Sequence, residues 1–161
     1  MAATLYETDY YLWARQQAEA LRQLDRERWN GPLDLKQLAE EVDDLAKRDR
    51  NACRSQVVRI IEHLLKLDHA PASLPQAGWR RSIFDARAQL EADLTPSLRA
   101  VLAEDLPDLY LRGRRGAAFS MEEHGEQDAA DGLPAEPPYT LDEVLRDGFY
   151  GFAEERRRAG S

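Results

Sequence analysis

Histidine, glutamate and lysine side chains in the middle of the chain are the first candidates for chemistry. His63 and His69 are six residues apart, which rotates them by about 240° around a helix, so they cannot share one ligand face. Metal sites in helical bundles typically use Glu-x-x-His pairs, and the sequence contains none. His63 could instead meet Glu40 or Glu41 of a neighbouring helix, with Lys66 one turn along.

This grouping leaves two interpretations open. Glu41, His63 and Lys66 could form a metal or small-molecule site, which an enzyme would also need. The simpler interpretation is a partly buried His63 that is hydrogen-bonded to a helix neighbour.

Signatures of nucleophilic and nucleotide chemistry are weak or missing. Cys53 shares an apolar stripe with Val57 and Ile60 and is interpreted as a small core residue, although Arg50 and Arg54 could activate its thiol. The sequence has no Gly-x-Ser-x-Gly, no Gly-x-Gly-x-x-Gly and no phosphate-binding loop. We therefore expect no catalytic residue, no cofactor and no bound metal.

Arginine clusters could contact phosphate. They are Arg112, Arg114 and Arg115 in one segment and residues 156–158 near the end. The net charge is −8 and the pI is about 5.0, whereas nucleic-acid-binding domains are usually cationic. We do not expect a nucleic-acid partner.

Aromatic side chains are concentrated at the start of the first long helix. They are Tyr6, Tyr10, Tyr11 and Trp13, and positions 10, 11 and 13 cannot all lie on one side of a helix. Core packing accounts for Tyr10 and Trp13. Tyr6 and Tyr11 are therefore candidates for an exposed patch that binds a partner or a second copy.

Length and composition predict one soluble domain. The chain has 161 residues, of which 43% are hydrophobic, enough for a core. The single cysteine excludes an intrachain disulfide, and the apolar runs are far shorter than the roughly 20 residues that span a bilayer. We expect a cytoplasmic protein that does not enter a membrane.

Helical spacing dominates the sequence, and capping signals mark several helix starts. Thr4 to Glu7 fits a capping box, as does Thr140 to Glu143, and Thr8 offers a further cap. Asp34 is a good N-cap three residues before Gln37. The polar segment 47–51 either separates two helices or lies within one bent helix spanning 35–69. We favour a break, because a single helix of that length would measure about 50 Å, more than three times the expected radius of roughly 15 Å.

The expected fold is an all-α, single-domain bundle of six or seven helices over residues 5–152. A helix ending near His69 is apolar on two faces and is predicted to lie at the centre. Further expectations concern the connections. They are a loop through Ser73 and Gly78, a break or kink at Pro107, a loop at 122–138 and a disordered polar tail at 153–161.

An ordered series of motifs resembles one bacterial family. The motifs are Leu5-Tyr6-Glu7-x-Asp9 with Trp13, Leu38-Ala39-Glu40-Glu41-Val42-x-x-Leu45, His63-Leu64-Leu65-Lys66, Trp79-Arg80-x-x-Ile83, Pro96-Ser97-Leu98 and Pro138-Tyr139-Thr140-Leu141-x-x-Val144-Leu145. They cover about residues 5–150 and resemble the family known as domain of unknown function 29. The resemblance implies an all-α fold. It indicates no activity, cofactor or catalytic residue for this chain.

Together these observations predict a small cytoplasmic protein-interaction or regulatory module rather than an enzyme. Its partner is an unknown protein or a second copy, contacted through the Tyr11 side of the first long helix. The alternative is a bundle that binds a metal or small molecule near Glu41, His63 and Lys66.

Overall fold

The computed structural model describes residues 2–71 and 74–161, and within these ranges it contains eight helices and no strand. The helices are α1 (Leu5–Thr8), α2 (Tyr10–Arg26), α3 (Leu35–His69), α4 (Gln76–Asp93), α5 (Pro96–Glu123), α6 (Gln127–Asp131), α7 (Leu141–Leu145) and α8 (Phe152–Ala159). The all-α class is confirmed. Ser73, part of the predicted loop before α4, lies outside the described residues, whereas Gly78 lies inside α4.

Helix α3 is continuous from Leu35 to His69, so the predicted break at residues 47–51 is wrong. The segment contains neither glycine nor proline, so no backbone hydrogen bond is lost there. Lys47 also pairs with carboxylates one turn earlier, 3.6 Å from Asp43 and 3.7 Å from Asp44. The expected break assumes that a helix of this length is too long for one small globule. That reasoning fails because α3 contributes residues to two compact units.

Helix α5 also continues through the residues predicted to interrupt it. Pro107 lies inside the helix rather than ending it. Gly113 and Gly116 face α3: an added Cβ would lie 2.7 Å from Ile61 Cγ2 at the first position and 2.6 Å from Glu62 Oε2 at the second. The glycines therefore allow α5 and α3 to approach closely.

The chain after α5 is more ordered than its polar composition indicates. Residues Gln127–Asp131 form α6 inside the predicted loop, and residues Phe152–Ala159 form α8 where a disordered tail was expected. Glu154 of α8 is buried and pairs with Arg80 and Arg158. These ion pairs are formed with a distant helix and within α8 itself, and they give the polar segment a fixed position.

The first compact unit, called unit 1, comprises residues 1–53 and 93–101. Its buried apolar residues are mostly small: Ala14, Ala18, Leu35, Ala39, Ala46, Cys53 and Leu98. Asp43 is buried between α2 and α3, where it accepts hydrogen bonds from Arg15 at 2.8 Å and Arg22 at 3.3 Å. Unit 1 is therefore held together by close alanine packing and two buried carboxylates, Asp9 and Asp43.

The second compact unit, called unit 2, comprises residues 54–92 and 102–161. The C-terminal half of α3 lies in its core, because Val57, Ile60, Ile61, Leu64 and Leu65 are almost fully buried. The prediction of a central helix ending near His69 is thus confirmed. Among the described residues, no helix combines the length and apolar character that spanning a bilayer requires.

Candidate functional site

The three residues proposed as a site are not all brought together. Lys66 is buried, with its Nζ 2.9 Å from Glu62 Oε1 and 5.7 Å from the centre of the Trp79 ring. Glu41 is exposed and accepts a hydrogen bond from Gln37 at 3.0 Å. Glu41 and His63 lie on the same helix, separated by about 33 Å at 1.5 Å per residue. Glu62, not Glu41, is the carboxylate beside Lys66.

His63 is a neutral imidazole at pH 7. Burial, together with the nearby positive charge of Lys66, lowers its pKa to about 4. Its Nδ1 is buried and has no hydrogen-bond partner in the structure. Within the described ranges, no group of three or more His, Cys, Asp or Glu side chains is arranged to hold a metal ion.

The thiol of Cys53 is unsuited to nucleophilic chemistry. It is buried in unit 1, and burial together with the negative charges of Asp93 and Asp49 raises its pKa to about 11. A thiol must lose its proton to react, so Cys53 is a small apolar core residue at neutral pH.

Three arginines of the two basic clusters make structural contacts. Arg114 donates to the carbonyls of Pro134 and Leu133 at 2.9 and 3.1 Å, so it anchors the loop after α6. Arg112 pairs with Asp108 at 3.1 Å, and Arg158 pairs with Glu154 at 2.6 Å. These pairings supply each cluster with negative charge or carbonyl oxygens from the chain itself.

Sequence reasoning missed a carboxylate at the end of α3 that holds the start of α8. Asp68 accepts hydrogen bonds from the Tyr139 hydroxyl at 2.7 Å, Phe152 N at 3.1 Å and Ala153 N at 2.7 Å. Gly151 has a φ of +99°, and a Cβ there would lie 2.6 Å from Asp68 Oδ1. Burial, reinforced by the charge of Asp68, raises the pKa of Tyr139. The one available signal was Gly151 directly before the start of α8.

Two arginines of α4 hold α7 and the residues that follow it, and this too was missed. Arg87 is buried and donates to the carbonyls of Val144 at 3.0 Å and Glu143 at 3.3 Å. Its guanidinium carbon lies 5.5 Å from the centre of the Tyr150 ring, and that of Arg80 lies 4.1 Å from the same ring. Burial lowers the pKa of Arg87 to about 10, so it stays charged at neutral pH. These arginines position the chain rather than a reacting group.

The exposed apolar side chains are concentrated in unit 1. Tyr6 is 54% exposed and packs edge-on against Tyr10 and Trp13, with ring centres 5.5 and 4.8 Å away. Tyr11 is only partly buried. Most of the large exposed apolar side chains that the structure describes belong to this unit: Tyr6, Leu12, Trp29, Leu33, Leu38 and Leu45, against Phe84, Leu111 and Phe119 in unit 2.

The structure defines an all-α protein in which the described residues form no group of three or more potential metal ligands. The chain belongs to the family described as Domain of unknown function DUF29, whose model matches residues 5–150. It is similar to the crystal structure of an alpha-helical protein of unknown function from Rhodospirillum rubrum. The TM-score is 0.77 at 27% identity, covering 92% of this chain and 93% of that one. No curated protein matches the chain.

Proposed function

We propose that this protein is a cytoplasmic bacterial protein-interaction module that binds its partner through unit 1. The observation that carries the proposal is the mismatch between the core of unit 1 and its surface. Its buried apolar residues are mostly alanines, whereas six of its large apolar side chains are exposed. Exposed apolar groups concentrated in one region are typical of a protein-binding surface.

Unit 2 of the same chain differs from unit 1 in how far its large apolar side chains are buried. Among the described residues, the largest fully buried side chains lie in unit 2, with Leu98 as the exception. Unit 2 has thus buried most of its large apolar side chains. Unit 1 has not, and a partner that covers its aromatic and leucine side chains would gain about 25 cal/mol for each Å² of apolar surface removed from water.

The aromatic cluster fits this role because aromatic residues are enriched at protein interfaces. Tyr6 supports the proposal most directly, since its ring is exposed yet held in place by Tyr10 and Trp13. A ring held in one orientation loses little side-chain entropy when a partner binds. The cytoplasmic assignment is supported by the single cysteine, which is buried as a free thiol.

Site-specific photo-cross-linking tests the proposal. A benzophenone amino acid replaces Tyr6 or Tyr11 in the full chain, expressed in the cells that naturally make it, and the matched controls replace Phe84 or Phe119, which are exposed aromatics of unit 2. We expect a protein cross-link at Tyr6 and Tyr11 with a yield about tenfold above that at the controls. Equal yields at all four positions would contradict an interaction through unit 1.

A small-molecule site at His63 and Lys66 is the second candidate. The observation that favours it is the buried, unpartnered Nδ1 of His63 close to the buried ammonium of Lys66. Native mass spectrometry of the protein from its natural host tests it. A bound molecule must appear with the wild-type chain and be lost from the His63→Phe variant; a wild-type chain of 18.4 kDa with nothing bound excludes this site.

A further inference from the structure

Helix α3 presents an exposed ridge of alternating apolar and charged side chains within unit 1. The ridge consists of Leu38, Glu41, Leu45, Arg48 and Ala52, all exposed, with Leu38 at 39% and Leu45 at 40%. At 100° per residue these positions fall within a stripe about 80° wide, so they lie along one side of the helix. The stripe is distinct from the buried side of α3.

The order of residues on this ridge is self-complementary. Leu45 lies near its middle, Glu41 four residues before it and Arg48 three residues after it. If two copies of α3 cross at Leu45 in antiparallel orientation, each Glu41 comes within one residue, about 1.5 Å along the axis, of an Arg48 of the other copy. Leu38 then comes opposite Ala52, since both are seven residues from Leu45. A two-fold contact requires this pattern, in which residue i meets j and j meets i.

We propose that the chain forms a two-fold symmetric homodimer in which the α3 ridges pair in antiparallel orientation about Leu45. This inference rests on the proposed function, because it names a second copy as the partner of unit 1. The leucines supply the apolar contact, and the two reciprocal Glu41–Arg48 pairs determine its direction and register. In a parallel pairing the like charges would meet instead.

The contact is small, which determines the affinity to expect. The ridge from Leu38 to Ala52 is about 21 Å long at 1.5 Å per residue. A pair of helices touching over this length buries less than the roughly 1,200–2,000 Å² of stable complexes. We therefore expect a weak dimer with a Kd of roughly 100 µM.

Sedimentation equilibrium of the full chain from about 10 to about 500 µM tests the dimer. The wild-type mass must rise with concentration from 18.4 kDa towards twice that value. Leu45→Glu must stay monomeric, because it places two carboxylates at the crossing point. The matched control Phe119→Glu changes an equally apolar and even more exposed residue of unit 2, and must dimerise like the wild type.

Charge reversal tests the register. Glu41→Arg and Arg48→Glu must each raise the Kd by about tenfold, because each single change places like charges opposite one another. The double variant exchanges the two charges and must return to within about threefold of the wild-type Kd. Circular dichroism of every variant checks that the helices stay folded.

These experiments can contradict the antiparallel dimer without contradicting the proposed interaction through unit 1. A wild type that is monomeric at every concentration, or a double variant that fails to recover, overturns the antiparallel dimer. In that case a cross-link from Tyr6 to a different protein would still support unit 1 as an interaction surface.

A Leu45→Cys chain gives a further check of the dimer, since residue 45 meets itself at the two-fold axis. Oxidation must produce a disulfide-linked dimer, whereas Phe119→Cys must not.

Discussion

Two carboxylates connect helix starts to residues that are distant in sequence. Asp9 accepts from Leu12 N at 3.1 Å at the start of α2, and from Ser97 N at 2.9 Å at the start of α5. Asp68 does the same for α8 through Phe152 and Ala153. The first backbone N–H groups of a helix have no partner within it, so a carboxylate placed there stabilises both the helix and the packing that brings it there.

The first prediction concerns Asp68. Replacing it by asparagine should lower the free energy of unfolding by about 2 kcal/mol, because the amide oxygen cannot accept all three hydrogen bonds and the amide NH₂ faces donors. Urea unfolding measures the loss, and faster hydrogen exchange at residues 152–159 locates it. Asp85→Asn is the control: Asp85 pairs with Arg81 on an exposed helix face, so the change should stay within about 0.5 kcal/mol.

The second prediction concerns His63. Its folded-state pKa of about 4 lies below the ordinary value of 6.5, so the unfolded chain binds more protons between these values. Stability should therefore fall as the pH drops from 6.5 towards 4, with up to about 3 kcal/mol from this residue. Urea unfolding at pH 7 and pH 4.5 should show a smaller pH dependence for His63→Phe than for the wild type. Identical pH dependence would contradict a buried neutral imidazole.

At the level of elements, local signals predicted helix starts and failed at helix interruptions. The capping boxes at Thr4 and Thr140 are confirmed, and Asp34 accepts from Gln37 N at 3.1 Å as expected. The N-cap of α2 is Asp9, not Thr8. Capping joins residues three apart, so the sequence alone reports it. Whether a helix continues through residues 47–51 or Pro107 depends on the packing on either side, which a local pattern does not contain.

The third prediction uses the glycines of the helices. An alanine in place of a helical glycine ordinarily stabilises a protein by about 0.5–1 kcal/mol. At Gly113 the added Cβ would lie 2.7 Å from Ile61 Cγ2 and 3.2 Å from the backbone nitrogen of Glu62, so Gly113→Ala should destabilise by about 2 kcal/mol. Gly78 has nothing within 4 Å of such an atom, so Gly78→Ala should stabilise instead. Thermal unfolding measures both, and the same sign for the two variants would contradict close packing of α5 on α3.

At the level of the whole molecule, the chain consists of two compact units whose cores differ in the size of their buried side chains. Unit 1 is built on alanines, whereas unit 2 buries large side chains along α3, α4 and α5. Because burial of large apolar groups contributes most of the stability of a domain, the two units should open with different free energies.

The fourth prediction tests this difference within one helix. Residues 54–69 of α3 should exchange their amide hydrogens at least about 100-fold more slowly than residues 35–53. Hydrogen exchange read by mass spectrometry or NMR gives both rates from one sample. The protein should be kept near 10 µM, roughly where the proposed weak dimer dissociates, so that dimer contacts do not protect the first half. Uniform protection along α3 would show that the units unfold together.

The candidate site shows where inference from sequence alone ends. The sequence correctly placed His63 and Lys66 on one helix close to each other, because their spacing is local. It assigned the wrong carboxylate, since Glu41 was assumed to lie on a different helix from His63. Once α3 is continuous, Glu62 is the acid one turn from Lys66.

Sequence by itself determined the all-α class, the family and most helix starts, because apolar spacing and capping act between residues a few positions apart. The tertiary structure alone decided the contact of Asp68 with α8 and the close approach of Gly113 to α3. It also decided which leucines stay exposed. These features join residues separated by tens of positions, and whether each side chain is buried depends on where the packed helices place it.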